Sequence, residues 1–238
     1  MSDNPELGRT IMANGIRTNY HDLGEGPAVL LIHGSGPGVT AFANWRLTMP
    51  ELAQRFRVIA PDMVGFGETE RALALALAIR APQRVGRLVL MGSVGVPFEI
   101  TEGLDAVWGY EPSIDNMRAL LDVFAYDRSL VNDELARLRY EASVRPGYQE
   151  AFSSMFPAPR QRWVDAMVSR DGDIRALAHD TLIVHGREDR VIPLQNAYDL
   201  LARIPRAQLH VFGECGHWTQ IEHAARFNRL LLEHFGEA

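Results

Sequence analysis

The chain has 238 residues, 47% of them apolar, enough for one large core or a core with a small insertion. Its 24 Lys and Arg against 30 Asp and Glu give a formal charge of -6, which argues against nucleic acid as a partner, because a phosphate backbone calls for a basic face. The lone cysteine, Cys215, excludes an intrachain disulfide, the polar start carries no apolar signal core, and no apolar run approaches a membrane span, so the expected location is cytoplasmic with no membrane partner.

The first third reads as strands. Residues 8–13 and 16–22 flank Asn14-Gly15, a strong hairpin turn signal. A continuous apolar run, 28–32, predicts a strand buried on both faces. It ends in the glycine-rich stretch His33-Gly34-Ser35-Gly36-Pro37-Gly38, and a helix is expected over 45–54. A second buried strand, 57–62, is closed by Gly65-Phe66-Gly67. An alanine- and leucine-rich helix over 69–80 is stopped by Pro82, and 87–92 reads as a third buried strand. Strands alternating with helices predict a mainly parallel sheet covered on both faces.

From about 97 to 165 the pattern turns to helices alone. One begins at Ser113 or Pro112 with Ile114, Met117, Leu120, Leu121 and Phe124 on a face. The next is capped by Asn132, with Leu135, Leu138 and Ala142 as its apolar stripe. Strand signals resume at 181–184 and 208–212, and a helix over 224–235 ends the chain. The predicted division is an α/β core, 1–97 and 166–238, interrupted by a helical cap, 98–165.

Three loops follow buried strands: 33–38, 186–193 and 213–218. Ligands bind at such ends in open α/β sheets. Asp189 in the second and His217 in the third have the chain order of an acid that orients a proton-transferring histidine.

The stretches His33-Gly34-Ser35-Gly36-Pro37-Gly38, Asn44-Trp45-Arg46, 61–67, Met91-Gly92-Ser93, Gly186-Arg187-Glu188-Asp189 and Cys215-Gly216-His217-Trp218 resemble the meta-cleavage product hydrolases of the α/β-hydrolase fold. The single-ring subgroup, the 2-hydroxymuconate semialdehyde hydrolases, is the nearest match, and the resemblance runs from about residue 6 to 235. It implies hydrolysis of a carbon–carbon bond in a 2-hydroxy-6-oxo-dienoate made by ring fission of a catechol. By the same resemblance Asp189 and His217 are the catalytic acid and base. Ser35 lies where a backbone N–H serves the oxyanion hole, Arg139 grips the substrate carboxylate, and Asn44, Trp163 and Trp218 line the pocket. The implied partner is a small dienoate. No metal or organic cofactor is implied, and a homo-oligomer is compatible with the pattern.

One family element is missing. Members carry a Gly-x-Ser-x-Gly elbow that presents the nucleophile. Here Ser35 is preceded two residues back by His33 and Ser93 by Met91, and no other serine fits that frame. The motif belongs between Gly67 and Arg87, where Glu70-Arg71 is followed directly by a segment resembling the helix after the elbow. The implied loss is roughly 40–50 residues, about one helix and one central strand. The sheet is then expected to close up by one strand spacing, about 4.8 Å, displacing the cap and the catalytic loops by several ångströms. Impaired activity follows, with a non-catalytic remnant or dienoate-binding protein, or a generic esterase, as the competing readings.

Simpler readings exist for several residues. Cys215 reads as a buried structural thiol, and Ser35 as part of an ordinary glycine-rich loop. Glu222-His223 near His217 lacks a third metal ligand at a usual spacing. Trp163 and Trp218 are packing residues unless the cap encloses a ligand.

Overall fold

The computed structural model describes residues 4–13, 15–63 and 73–236. Asn14, the segment 65–67, the pair Glu70-Arg71 and the first residues of the 69–80 helix lie outside the described residues.

Two sheets form where one was expected. The first has the order β1 (Arg9–Ala13), β2 (Ile16–Leu23), β4 (Arg57–Pro61), β3 (Ala28–Leu30); the second has β5 (Arg87–Met91), β6 (Asp180–Gly186), β7 (Ala207–Phe212). The hairpin β1–β2 is antiparallel, as the turn signal predicts, and β2 runs antiparallel to β4. The pairs β3–β4, β5–β6 and β6–β7 are parallel. Among the described residues no strand pairs β3 with β5, so the sheet does not close up. This corrects the expected re-joining, and the expected burial of 28–32 on both faces is met only at Val29 and Leu31. In β3 only Val29 is buried and Leu30 is 48% exposed, because the strand has a neighbour on one edge only.

Shared packing holds the two sheets together. Val29 and Val58 of the first join Leu182, Val184 and Phe212 of the second in one buried cluster, completed by Phe227 and Leu231 of the C-terminal helix α12 (Ala224–Gly236). Burying a side chain of this size contributes about 1.5–3 kcal/mol. A second cluster packs Leu75 and Ala78 of α3 (Leu73–Arg80) on Leu88 and Leu90 of β5.

The expected helix over 45–54 is two short ones, α1 (Ala41–Trp45) and α2 (Met49–Leu52). Thr40 caps the first by accepting from the Ala43 N–H, and Pro50 sits at the start of the second, where its missing N–H costs nothing. The helical region contains α4 (Glu102–Trp108), α5 (Ile114–Phe124), α6 (Asp133–Ser143), α7 (Tyr148–Met155) and α8 (Gln161–Ala166), followed by α9 (Asp171–Arg175). Ser113 and Asn132 cap α5 and α6 as predicted. The stripe predicted for α6 is corrected: Leu138 is 54% exposed, and the buried face is Ala136, Arg139, Ala142 and Ser143. Two helices gave too little periodic signal to be placed from the sequence, α10 (Leu194–Leu201) and the one-turn α11 (Thr219–Glu222).

Candidate active site

The C-terminal ends of β6 and β7 bring the two conspicuous loops together. Glu188 and Cys215 exchange hydrogen bonds, the Glu188 N–H to the Cys215 carbonyl at 3.0 Å and the Cys215 N–H to Glu188 Oε2 at 3.0 Å. Gly186 makes this approach possible, since a Cβ there would collide with the carbonyls of Cys215 and Gly216. Glu222 then ties the loop to the helical region. Its Oε1 accepts from the Gly216 N–H, and its Oε2 from the N–H groups of Tyr126 and Asp127. That is a structural task for Glu222, in place of metal ligation.

Asp189 and His217 meet at the centre. Asp189 Oδ2 lies 2.8 Å from His217 Nδ1, and Asp189 Oδ1 accepts from the N–H groups of Val191 and Ile192 at 2.8 and 3.0 Å. The carboxylate is 1% exposed and the imidazole 22%. Burial alone would raise the Asp189 pKa, but the adjacent His217, with His185 and the Ile192 N–H, holds it below the usual carboxylate value. Burial likewise opposes a charged His217, yet Asp189, and to a smaller extent Glu222, lift it above the ordinary histidine value. An imidazole oriented through Nδ1 results, and no hydrogen bond joins Nε2 to any described residue.

His217 faces a cavity of about 1150 Å3 that Ser35, Asn44, Arg139, Trp163 and Trp218 also line. Asp189 stands behind His217. Asn44 accepts from Gln220, and Trp218 stacks on Phe124 with ring centroids 5.3 Å apart. Trp163 donates its indole N–H to the Pro157 carbonyl, so its ring is held by the helical region itself. Arg139 is 7% exposed and hydrogen-bonds the Gly38 carbonyl at 3.1 Å. It has no carboxylate partner among the described residues. Burial, with Arg46 nearby, pushes its guanidinium pKa down to about 10. Glu6 acts on it only from a distance, in the opposite direction, and a buried cation with no carboxylate in contact beside an open cavity is an arrangement that an anionic ligand completes.

Other residues were given no site role by the sequence. His185 is fully buried, bonds the Ile192 carbonyl through Nε2 at 2.9 Å and lies 3.4 Å from Asp189 Oδ2. Gly92, at φ +50°, packs against the pair, and a Cβ there would sit 3.0 Å from His217 Cε1. His185 meets Asp189 only four residues on, through the turn after β6, whereas Gly92 meets His217 far away in the chain. Cys215 is fully buried and its thiol pKa is driven up by burial and by Glu222, so it is not an accessible thiolate.

The family model described as alpha/beta hydrolase fold matches residues 72–224. The chain is 59% identical over 272 residues to the 2-hydroxymuconate semialdehyde hydrolase of Pseudomonas sp. (strain CF600), covering 99% of this chain and 96% of that protein. It is also 59% identical over 264 residues to a 2-hydroxy-6-oxo-2,4-heptadienoate hydrolase of Pseudomonas putida F1, with 96% of each covered. Among solved structures, the meta-cleavage product hydrolase CumD of Pseudomonas fluorescens IP01, a serine-to-alanine mutant complexed with acetates, superposes with a TM-score of 0.95 at 58% identity, covering 98% of this chain and 99% of that one. A match 272 residues long against a chain of 238 leaves at least 34 aligned positions of the first relative without a counterpart here. The family model begins at residue 72, immediately after Glu70-Arg71.

Proposed function

From the premise that this chain belongs to the meta-cleavage product hydrolases of the α/β-hydrolase fold, we propose that it recognises a 2-hydroxy-6-oxo-dienoate of the ring-fission type but turns it over only slowly. The observation that carries this reading is the buried Arg139, with no carboxylate in contact among the described residues, on the same cavity as His217 of the His217–Asp189 pair. The absence of a Gly-x-Ser-x-Gly elbow from the sequence limits what that pair can do.

Each residue has a physical task in this reading. The Arg139 guanidinium pairs with the carboxylate of the dienoate, the planar geometry for which arginine is suited. Trp163, Trp218 and Asn44 hold the carbon chain. His217 Nε2 moves the proton between the dienol and the carbon skeleton, with Asp189 fixing the imidazole and stabilising its cation. Backbone N–H groups of the 33–38 loop, at Ser35 above all, face the developing oxyanion. Ketonisation needs only this proton transfer. Cleavage needs an attacking oxygen as well, and no hydroxyl is hydrogen-bonded to His217 Nε2 among the described residues. Water is the remaining nucleophile.

The test is calorimetric titration with a six-carbon ring-fission dienoate, alongside its cleavage followed by loss of dienoate absorbance. Binding is expected, with cleavage no more than about 10³–10⁴-fold above the uncatalysed rate. A turnover number in the ordinary enzymatic range of about 1–10³ per second would overturn the impaired-site reading. Absence of binding would overturn the recognition.

A further inference from the structure

The cavity that reaches His217 does not end at the substrate residues. It continues between the sheets along 27–32 on one side and 84–91 on the other, with Leu77 of α3 and Leu231 and Phe235 of α12 also on its wall. Val29, Val89 and Leu231 give this end an apolar character. The edges bounding it carry backbone polar groups. The Leu31 N–H bonds the Ile59 carbonyl, so the neighbouring residue, Leu30, turns its N–H away from β4 and toward the slot. β5 pairs with β6 on one side only. Two strand edges therefore face one apolar channel, with their hydrogen-bonding capacity toward it unused by any described strand.

We propose that this slot binds an extended, uncharged, apolar peptide strand supplied by a separate polypeptide, inserted between β3 and β5 so that the two sheets become one. Four observations fix the chemistry of the occupant. The facing edges demand an extended backbone that can hydrogen-bond on both sides, which a helix or a small apolar molecule cannot do. Apolar packing above and below demands apolar side chains on both faces of the inserted strand, the pattern of a central strand in a covered sheet. The parallel ladders β3–β4 and β5–β6 favour parallel insertion. The positions of the relative that have no counterpart here number at least 34 and the family-model match begins at residue 72, a length that accommodates a strand with its connections. The superposition at a TM-score of 0.95 indicates that the framework keeps the family's spacing without it. An edge of this kind is otherwise a liability for unspecific pairing.

The probe is a synthetic peptide reproducing the segment of the Pseudomonas CF600 relative that has no counterpart in this chain, added to the whole chain. The expected result is saturation at one peptide per chain, a rise in Tm of several degrees, and slowed amide exchange at 28–32 and 87–91. A peptide of the same composition with two prolines in its strand lacks the required N–H groups and is expected to bind at least tenfold more weakly. In the chain, Leu30→Pro removes the N–H facing the slot while leaving the β4 ladder intact, and is expected to weaken binding without loss of the far-ultraviolet circular dichroism. Unchanged exchange at both strands on peptide addition, or equal binding of the proline peptide, overturns the proposal. So does protection of both strands in the peptide-free protein together with concentration-dependent dimerisation, which would make a second copy the occupant. Dienoate binding is read separately, so failure here leaves the reading of Arg139 and His217 standing.

Discussion

Asp189 and His217 are joined through Oδ2 and Nδ1 at 2.8 Å, while the other imidazole nitrogen has no hydrogen-bond partner among the described residues. The carboxylate is thus spent on orientation and the proton-accepting nitrogen is left to the cavity. In Asp189→Asn the amide oxygen can still accept from Val191 and Ile192, but the amide nitrogen cannot accept the His217 Nδ1 proton. The His217 pKa is expected to fall, read by nitrogen-15 NMR of the imidazole, and stability to drop by about 1–3 kcal/mol in denaturant titration. An unchanged imidazole titration would show that Asp189 does not control this ring.

The pair also sets a pH window. Asp189 is depressed below 3.8, so its contribution is complete above that value and is lost as pH falls through the lower folded value. His217 is raised above 6.5, so its contribution is complete below that value and is lost as pH rises through the higher folded value. His185 lowers Asp189 further and Glu222 raises His217 further, each reinforcing the shift that the pair itself produces. The Tm difference between the natural chain and His217→Gln is expected to peak between about pH 4 and 6.5 and to shrink on either side. A difference that is flat from pH 3 to 9 would contradict the linkage.

Arg139 is expected to trade stability for binding. Its guanidinium is buried with a carbonyl partner but no carboxylate, a costly state that an apolar side chain relieves. Arg139→Met is therefore expected to leave Tm unchanged or raise it. Dienoate affinity should fall by about 10–100-fold, the equivalent of one or two charge-assisted hydrogen bonds. Equal affinities in the two proteins would remove Arg139 from the site.

Gly92→Ala tests how tightly the β5 end abuts the pair. The added Cβ would sit 3.0 Å from His217 Cε1 and 3.2 Å from Nδ1, at a φ of +50°. A left-handed backbone at a residue with a side chain costs about 1–2 kcal/mol, and the imidazole must shift as well. A Tm loss accompanied by displaced His217 resonances is expected, and a loss without any change at His217 would confine the effect to the backbone.

The amino-acid sequence determined the local elements and the chemistry of the loops. Asn132 and Ser113 announced their helices because a capping side chain acts within three residues. Asp189 and His217 were legible from their strand-end loops and chain order, Ser35, Asn44, Arg139, Trp163 and Trp218 only through motif resemblance, and all but the buried Asp189 line the same cavity. Tertiary structure decided what depends on distant neighbours. The burial of Arg139 in place of Leu138 and the tie from Glu222 to Tyr126 arise from contacts across long stretches of chain, and the role of His185 behind Asp189 depends on how the β6 end turns back on itself. The open slot is the largest such case. A sequence records that the nucleophile motif is absent, but whether neighbouring strands pair depends on packing elsewhere. Here the shared cluster of Val29, Val58, Val184, Phe212 and Phe227 holds the sheets in place, and moving them together would cost that burial.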